Sequence, residues 1–527
     1  MGAHSTVYSK TARTSRWLAA GVALISISLS GCVATRATPS RAPTSSPTAP
    51  IPCDDGPTAH TPMPADCWVP TEPPLTPFAT ATPRQTDPSV SLAGLATLPP
   101  VTPWRGKTFY APPSGAGSML IGLGPDDTVY VLLERALPLP QPTPSTLYLV
   151  PDVAASVIAL RPDGSLQTGW PSAGVPVSGF PYSYRVNADG TVFVASGANP
   201  YTGDQLALSQ LTITAIGSDG KVLPGWPYRT PAAQQYYDPD LLTTGPNDMV
   251  CFRQMKAGTK ATGDDTPMVA YCLGADGKVL PGWPLSSVLP LFNLAIGPDG
   301  TVYVGQETST TASQAWPYSF PYQVIALGLD DKPKPGWSAW TEPDVPSLTT
   351  ILPTKDGRVY MLLGGDSGRA HLVSVDSKGK TISEHFELES ALSSPNYKDA
   401  ILTKDGRLFV SATDQSVPDV DVINAYSADG SQMAGWPQLI GGWGDLAVGA
   451  DGSVWVAWTL FHASGGPDDT SVVARFDKNG KLQPGYPMAA DKLSTLGLYY
   501  GLAVASDGTA FGTAVTASGG RIVVMGR

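Results

Sequence analysis

Histidine is scarce in this chain: five in 527 residues, of which only His371, His385 and His462 lie beyond residue 100. No two of them have metal-ligand spacing, so no metal site is expected. Cysteine is as rare, and neither a vicinal Cys-Cys pair nor a Cys-x-x-Cys-His segment occurs, which excludes c-type haem attachment. No motif asks for a cofactor, and none is expected. After the first thirty residues no apolar run is long enough to span a bilayer as a helix. Cations are outnumbered too: 33 Lys and Arg against 44 Asp and Glu give a net charge of −11. A surface of that sign repels phosphate backbones, so nucleic acid is not an expected partner.

What is present begins with an export signature. Lys10, Arg13 and Arg16 precede an apolar stretch from Trp17 to Leu29, the length of a secretory h-region. It ends in Leu29-Ser30-Gly31-Cys32, which resembles the lipobox of bacterial lipoproteins. The resemblance implies cleavage after residue 31, a thioether-linked lipid on Cys32 and a membrane-anchored protein in the cell envelope, outside the cytoplasm. Loss of residues 1–31 removes three cations and no acid, so the net charge moves from −11 to −14.

Residues 32–100 read as a linker. Positions 33–100 hold 16 prolines among many Thr, Ser and Ala and little apolar periodicity. Such a segment cannot bury enough surface to offset its ordering entropy. Cys53 and Cys67 bracket a short stretch inside it and are expected to close a small disulfide loop.

Residues 101–527 carry two alternating cassettes. The first is an apolar run, an Asp-Gly-type turn, then a β-branched or aromatic run: Ala188-Asp-Gly-Thr-Val-Phe193, Gly297-Pro-Asp-Gly-Thr-Val-Tyr303 and six relatives. The second is a strand, another such turn, then Pro-Gly-Trp-Pro or a variant, ending at Trp170, Trp226, Trp283, Trp337, Trp436 and Tyr486. The fifth copy, near Val375 to Gly379, lacks the tryptophan. From Gly190 to Gly508 is 318 residues over six intervals, a mean period of 53. Asp-Gly between β-rich runs signals a hairpin. Two hairpins per unit make a four-stranded blade, so the expected fold is all-β: an eight-bladed β-propeller of antiparallel blades. The last unit stops one strand short. Val101-Thr-Pro-Trp104 is expected to supply that strand and close the ring.

The second cassette, as in Val157-Ile-Ala-Leu-Arg-Pro-Asp-Gly164 followed by Trp170, looks like the tryptophan-docking repeat of PQQ-like, quinoprotein-type propellers. It also resembles the Gly-Trp-Pro phrases of FG-GAP-like propellers. A propeller of this kind on a lipoprotein is similar to the outer-membrane assembly lipoproteins, which implies a scaffold. The FG-GAP calcium loop would need Asp-x-Asp-x-Asp-Gly, and only Asp477-Lys-Asn-Gly480 comes near it. Gly365-Asp366-Ser367-Gly368 copies the surroundings of a trypsin-type nucleophile but falls in a loop where those residues are ordinary.

Within the third unit, Cys251 replaces the aromatic found in the other seven, and Cys272 replaces a small residue. Both fall on adjacent strands of one blade, so they are expected to form a disulfide.

Recognition is expected on the face opposite the short turns, where longer second-to-third connections gather with the crossovers between blades. The crossovers are rich in aromatic and acidic residues. The candidates are Tyr184, Tyr237, Asp240, Phe292 and Asn293 in the first half of the ring. Tyr397, Asp399, Trp443, Asp445 and Tyr500 continue the set. A ring of such side chains could stack on sugars or grip a peptide. A monomeric binding or scaffold module for a protein or glycan ligand is the first reading. The alternative is a carbohydrate-active lyase or glycosidase with paired carboxylates, with a quinone-dependent dehydrogenase behind it.

Overall fold

A computed structural model of the protein describes residues 102–103, 106–113, 116–136, 153–198, 208–234, 242–256, 268–286, 291–308, 320–345, 347–364, 371–387, 397–414, 420–441, 443–460, 470–490, 498–516 and 519–526. The signal segment, Cys32, the linker with Cys53 and Cys67, Gly365–Gly368, Tyr237 and Asp240 lie outside these residues.

The Asp-Gly turn sets the local geometry. In the second unit Asn187 N–H donates to Thr191 O at 2.8 Å, and Gly190 N–H donates to Asn187 O at 3.0 Å. Gly190 takes φ 91°, where a side chain would strain the backbone. Asp189 Oδ1 accepts the Thr191 N–H at 3.0 Å, so the repeated acid caps its own turn. Blades 1 and 3 put Asp127 and Asp248 in the glycine position, at φ 61° and 54°. Each carboxylate reaches the preceding blade. Asp127 accepts from Ser506 N at 2.8 Å, and Asp248 from Asn187 Nδ2 at 3.2 Å.

Blade 1 consists of Ala116–Leu123, Val129–Ala136, Val153–Leu160 and Val175–Val177, paired antiparallel in that order. Blades 2 to 7 repeat it from innermost strands Phe180–Val186, Leu242–Thr244, Leu291–Ile296, Ser347–Pro353, Tyr397–Leu402 and Trp443–Val448. Blade 8 has Leu498–Val504, Ala510–Thr516 and Gly519–Gly526, completed by the N-terminal strand Lys107–Tyr110. Innermost strands of successive blades touch all the way round, blade 8 against blade 1 included. The fold is an eight-bladed, all-β propeller, with no helix among the described residues.

Second strands are sandwiched between two neighbouring blades, which is why they read as unbroken apolar runs rather than alternating ones. Val129, Tyr130, Val131 and Leu132 are all fully buried. The core is accordingly eight seams rather than one centre. The seam between blades 6 and 7, for example, joins Phe409, Ile423 and Trp436 to Val456, Val472 and Phe476.

The repeated tryptophan packs on the aromatic of its own blade and ties that blade to the next. Trp170 lies 5.7 Å from Tyr130, and its indole N–H donates to Ser218 O at 2.9 Å. Trp226, Trp283 and Trp436 donate likewise to Ala275 O, Leu329 O and Lys478 O, at 3.0, 3.2 and 3.4 Å.

The structure corrects two expectations. The closing strand is Lys107–Tyr110, antiparallel to Gly519–Gly526, and not residues 101–104. Thr102–Pro103 instead adds in parallel to Met488–Ala490 on the outer edge of blade 7. Phe109, 4.8 Å from Phe511 and packed against Gly164 of blade 1, fills the place of the docking tryptophan. The third-to-fourth connection is also not one tight turn. In most blades it is two consecutive turns around a single bridge such as Leu160↔Leu166, with the tryptophan in the second turn rather than on the fourth strand. The bridge lets the chain fold over the seam before the short outer strand begins.

The Cys251–Cys272 disulfide forms as expected. The residues are directly opposed, with Cα atoms 4.1 Å apart and both side chains fully buried.

Candidate functional site

Antiparallel pairing puts first-to-second and third-to-fourth connections at one end of every blade, and the remaining connections at the other. The two ends differ. The short-turn end repeats one Asp-capped design, with ion pairs such as Lys221–Asp219 at 2.8 Å and Lys334–Asp299 at 2.8 Å. The carboxyls of Asp219 and Asp276 lie below the usual range because Lys221 and Lys278 hydrogen-bond them.

The opposite end is irregular. Innermost strands start there, and in blades 2, 4, 5 and 6 each has an extra residue eight positions before its turn glycine: Tyr182, Phe292, Thr349 and Lys398. Blade 8 breaks register on both sides of Tyr500. A bulge re-aims the strand and is enriched beside binding sites. In blade 2, Tyr182 Oη donates to Ala198 O at the start of the second-to-third loop. Part of that loop, Leu208–Ser209, then pairs with Ala233–Gln234 of the crossover to blade 3.

The candidates spread one blade at a time around this end. Asn293, Asp399 and Asp445 stand at one register, seven residues before the turn glycine, and Ser183 and Thr350 share it. Asn293 Nδ2 donates to Leu348 O, and Ser183 Oγ accepts the Leu242 N–H at 3.4 Å. These two stitch their blades to the free main-chain edge of the next one. Tyr184 packs into the seam between blades 1 and 2 with Tyr130 and Trp170. It is partly buried there, packed against that cluster. Phe292, Tyr397, Asp399, Trp443 and Tyr500 are placed by backbone only: Phe292 at its bulge, the others on innermost strands. Asp445 does meet a second blade. It lines a cavity of about 10 Å³, room for one water, with Gly501, Gly512 and Thr513. Thr513 Oγ1 there accepts the Leu120 N–H of blade 1 at 2.9 Å.

Two carboxyls at this end escaped the sequence pattern. Glu134 and Glu307 each follow the buried aromatic of their blade, Tyr130 and Tyr303, by four residues. Burial pushes Glu134 up to about 7. Glu307 is 1% exposed. The signal was an acid four residues past the blade's aromatic, visible only once the units are aligned on their turns. Among the described residues no group of three or more His, Cys, Asp or Glu could hold a metal ion.

No family model matches the chain, and no curated protein matches it in sequence. Solved structures match at low identity. Prolyl oligopeptidase B from Galerina marginata is 12% identical with a TM-score of 0.43, covering 76% of this chain, which spans 55% of that one. Virginiamycin B lyase from Staphylococcus aureus is 14% identical at TM-score 0.36, covering 66% of this chain and 95% of its own. The periplasmic gluconolactonase of Pseudomonas aeruginosa is 14% identical at TM-score 0.43, with 71% and 95% covered.

Proposed function

We propose that the protein is an extracytoplasmic binding or scaffold module, tethered to a membrane by lipid on Cys32 and the proline-rich segment that follows it. It offers the long-loop end of the propeller to a protein or glycan ligand. The observation that carries this reading is the contrast between the two ends. One repeats Asp-capped turns, while the other gathers register breaks in blades 2, 4, 5, 6 and 8 and the long second-to-third loops. Variation on a rigid frame is how a scaffold diversifies recognition. The test is a glycan array and an envelope pull-down with the chain from residue 33 onward. Tyr397→Ala or Tyr500→Ala should weaken capture at least about tenfold, whereas Lys278→Glu on the short-turn end should leave it unchanged. A ligand mapped to the short-turn end would overturn the reading. Turnover of a captured glycan would favour the lyase or glycosidase alternative instead.

A further inference from the structure

The docking tryptophan stands six residues past its turn glycine: Trp170 after Gly164, Trp226 after Gly220, Trp436 after Gly430. In blade 5 that position is His385, six past Gly379, and the backbone there already belongs to the outer strand Thr381–Glu387. Blade 5 therefore lacks the second turn as well as the indole. The carbonyl that the indole would meet on blade 6 is Ala428 O, the second residue of its turn, as Ser218, Ala275, Leu329 and Lys478 are of theirs. That carbonyl is occupied. Arg358 Nη1 donates to it at 2.8 Å.

Arg358 also lies over the aromatic of its own blade, as Arg407 does over Phe409 in blade 6 beside Trp436. Arg358 Nη1 donates to Tyr360 Oη at 3.2 Å, and its guanidinium carbon lies 5.9 Å from the Tyr360 ring centre. Tyr360 is the fully buried aromatic of blade 5, the counterpart of Tyr130 under Trp170. On the other side of blade 5, Trp337 of blade 4 packs 5.3 Å from Tyr303, but its buried indole N–H has no hydrogen-bond partner. The tie to blade 5 is made by Ser338 N–H, which donates to Lys378 O at 2.8 Å.

We propose that blade 5 is the conformational gate of the ring, with Arg358 as the latch that closes its seam to blade 6 in place of the missing tryptophan. An indole seals a seam by burying a large apolar area and one N–H at once. A half-buried guanidinium makes the same hydrogen bond and a weak cation–π contact, but it regains water readily when the seam parts. Among the described residues, the apolar cluster between blades 5 and 6, formed by Tyr360, Leu362, Leu372, Leu408, Val410 and Tyr426, contains no tryptophan.

Amide hydrogen exchange on the whole chain tests this. In the parent protein, amides of Val359–Gly364 and His371–Val375 should exchange at least about tenfold faster than those of Val192–Gly197 and Thr212–Ile216 in blade 2. Arg358→Ala should speed exchange in blades 5 and 6 by a further tenfold or so and leave blade 2 unchanged. Arg358→Lys, which keeps the charge but loses the planar fork, should fall between them, and it carries the comparison if the alanine variant does not fold. Equal protection of blades 2 and 5 in the parent would overturn the proposal. So would an Arg358 variant whose exchange matches the parent in blades 5 and 6, or rises equally in every blade.

Discussion

Removing the Cys251–Cys272 bond probes how a single blade is held, and its effect can be worked out beforehand. Both sulfurs are fully buried between the second and third strands of blade 3, and the bond spans a sequence separation of 21. Loop-closure entropy for a span of that size is worth about 3 kcal/mol at 25 °C. In blade 4 the equivalent opposed pair is Tyr303 and Ala326, so two cysteines fill less volume than the ordinary pair and leave little packing to offset the loss. The double variant Cys251→Ala, Cys272→Ala should therefore lose about 3 kcal/mol or somewhat more. A propeller of this size unfolds with an entropy near 0.9 kcal/mol/K, from roughly 2.1 cal/mol/K per residue. The melting temperature should then fall by only about 3 to 4 °C. Local opening is the sharper readout. Amides of Val250–Met255 should exchange roughly a hundredfold faster, because 1.4 kcal/mol corresponds to a factor of ten. Calorimetry and exchange would be run with and without reductant, with free thiols counted by mass. If the bond is absent, by substitution or with both thiols of the reduced parent free, yet Tm stays within about 1 °C and exchange in blade 3 is unchanged, the bond contributes nothing and the reasoning fails.

Glu134 makes stability depend on pH. Its carboxyl rises from 4.5 to about 7 in the folded protein, so the unfolded chain ionises first. Stability should hold below about pH 4.5, fall by roughly 3 kcal/mol as pH rises toward 7, and level off above that. Urea midpoints across that range should lose this slope in Glu134→Gln, and a slope that survives would count against burial as its cause. Phe109→Ala should cost about 2 kcal/mol by weakening the contact with Phe511, read from the same midpoints. Deleting 102–110 should be worse, exposing the edge of Gly519–Gly526 to aggregation, and light scattering identical to the parent would contradict the closure. Cys32→Ser should move the protein to the soluble fraction without lipid on its mass, and lipid still attached would rule out that anchor.

Blade number and blade content were legible in the sequence because a turn that needs positive φ admits few residues. Asp-Gly, or Asp in the glycine's place, at a period near 53 marks the first turn of each blade, and Gly190 at φ 91° shows why. The disulfide was legible for a related reason. Strand alternation within one hairpin is local, so two exceptions in the same unit had to face each other. Which residues close a seam is not local. Residues 101–104 and 107–110 both look like strands near the repeat, and only pairing with Gly519–Gly526 selects the second. Nor are the contacts of the channel-mouth candidates local: Asn293 meets Leu348 O of the next blade, and Tyr184 packs, partly buried, against the seam with blade 1. The same holds for Arg358: in the sequence it is a turn arginine, and it becomes a latch only because ring closure places Ala428 O 2.8 Å away. A repeat specifies what each blade contains. The contacts between blades, made by residues about fifty to four hundred positions apart, are decided only when the ring has closed.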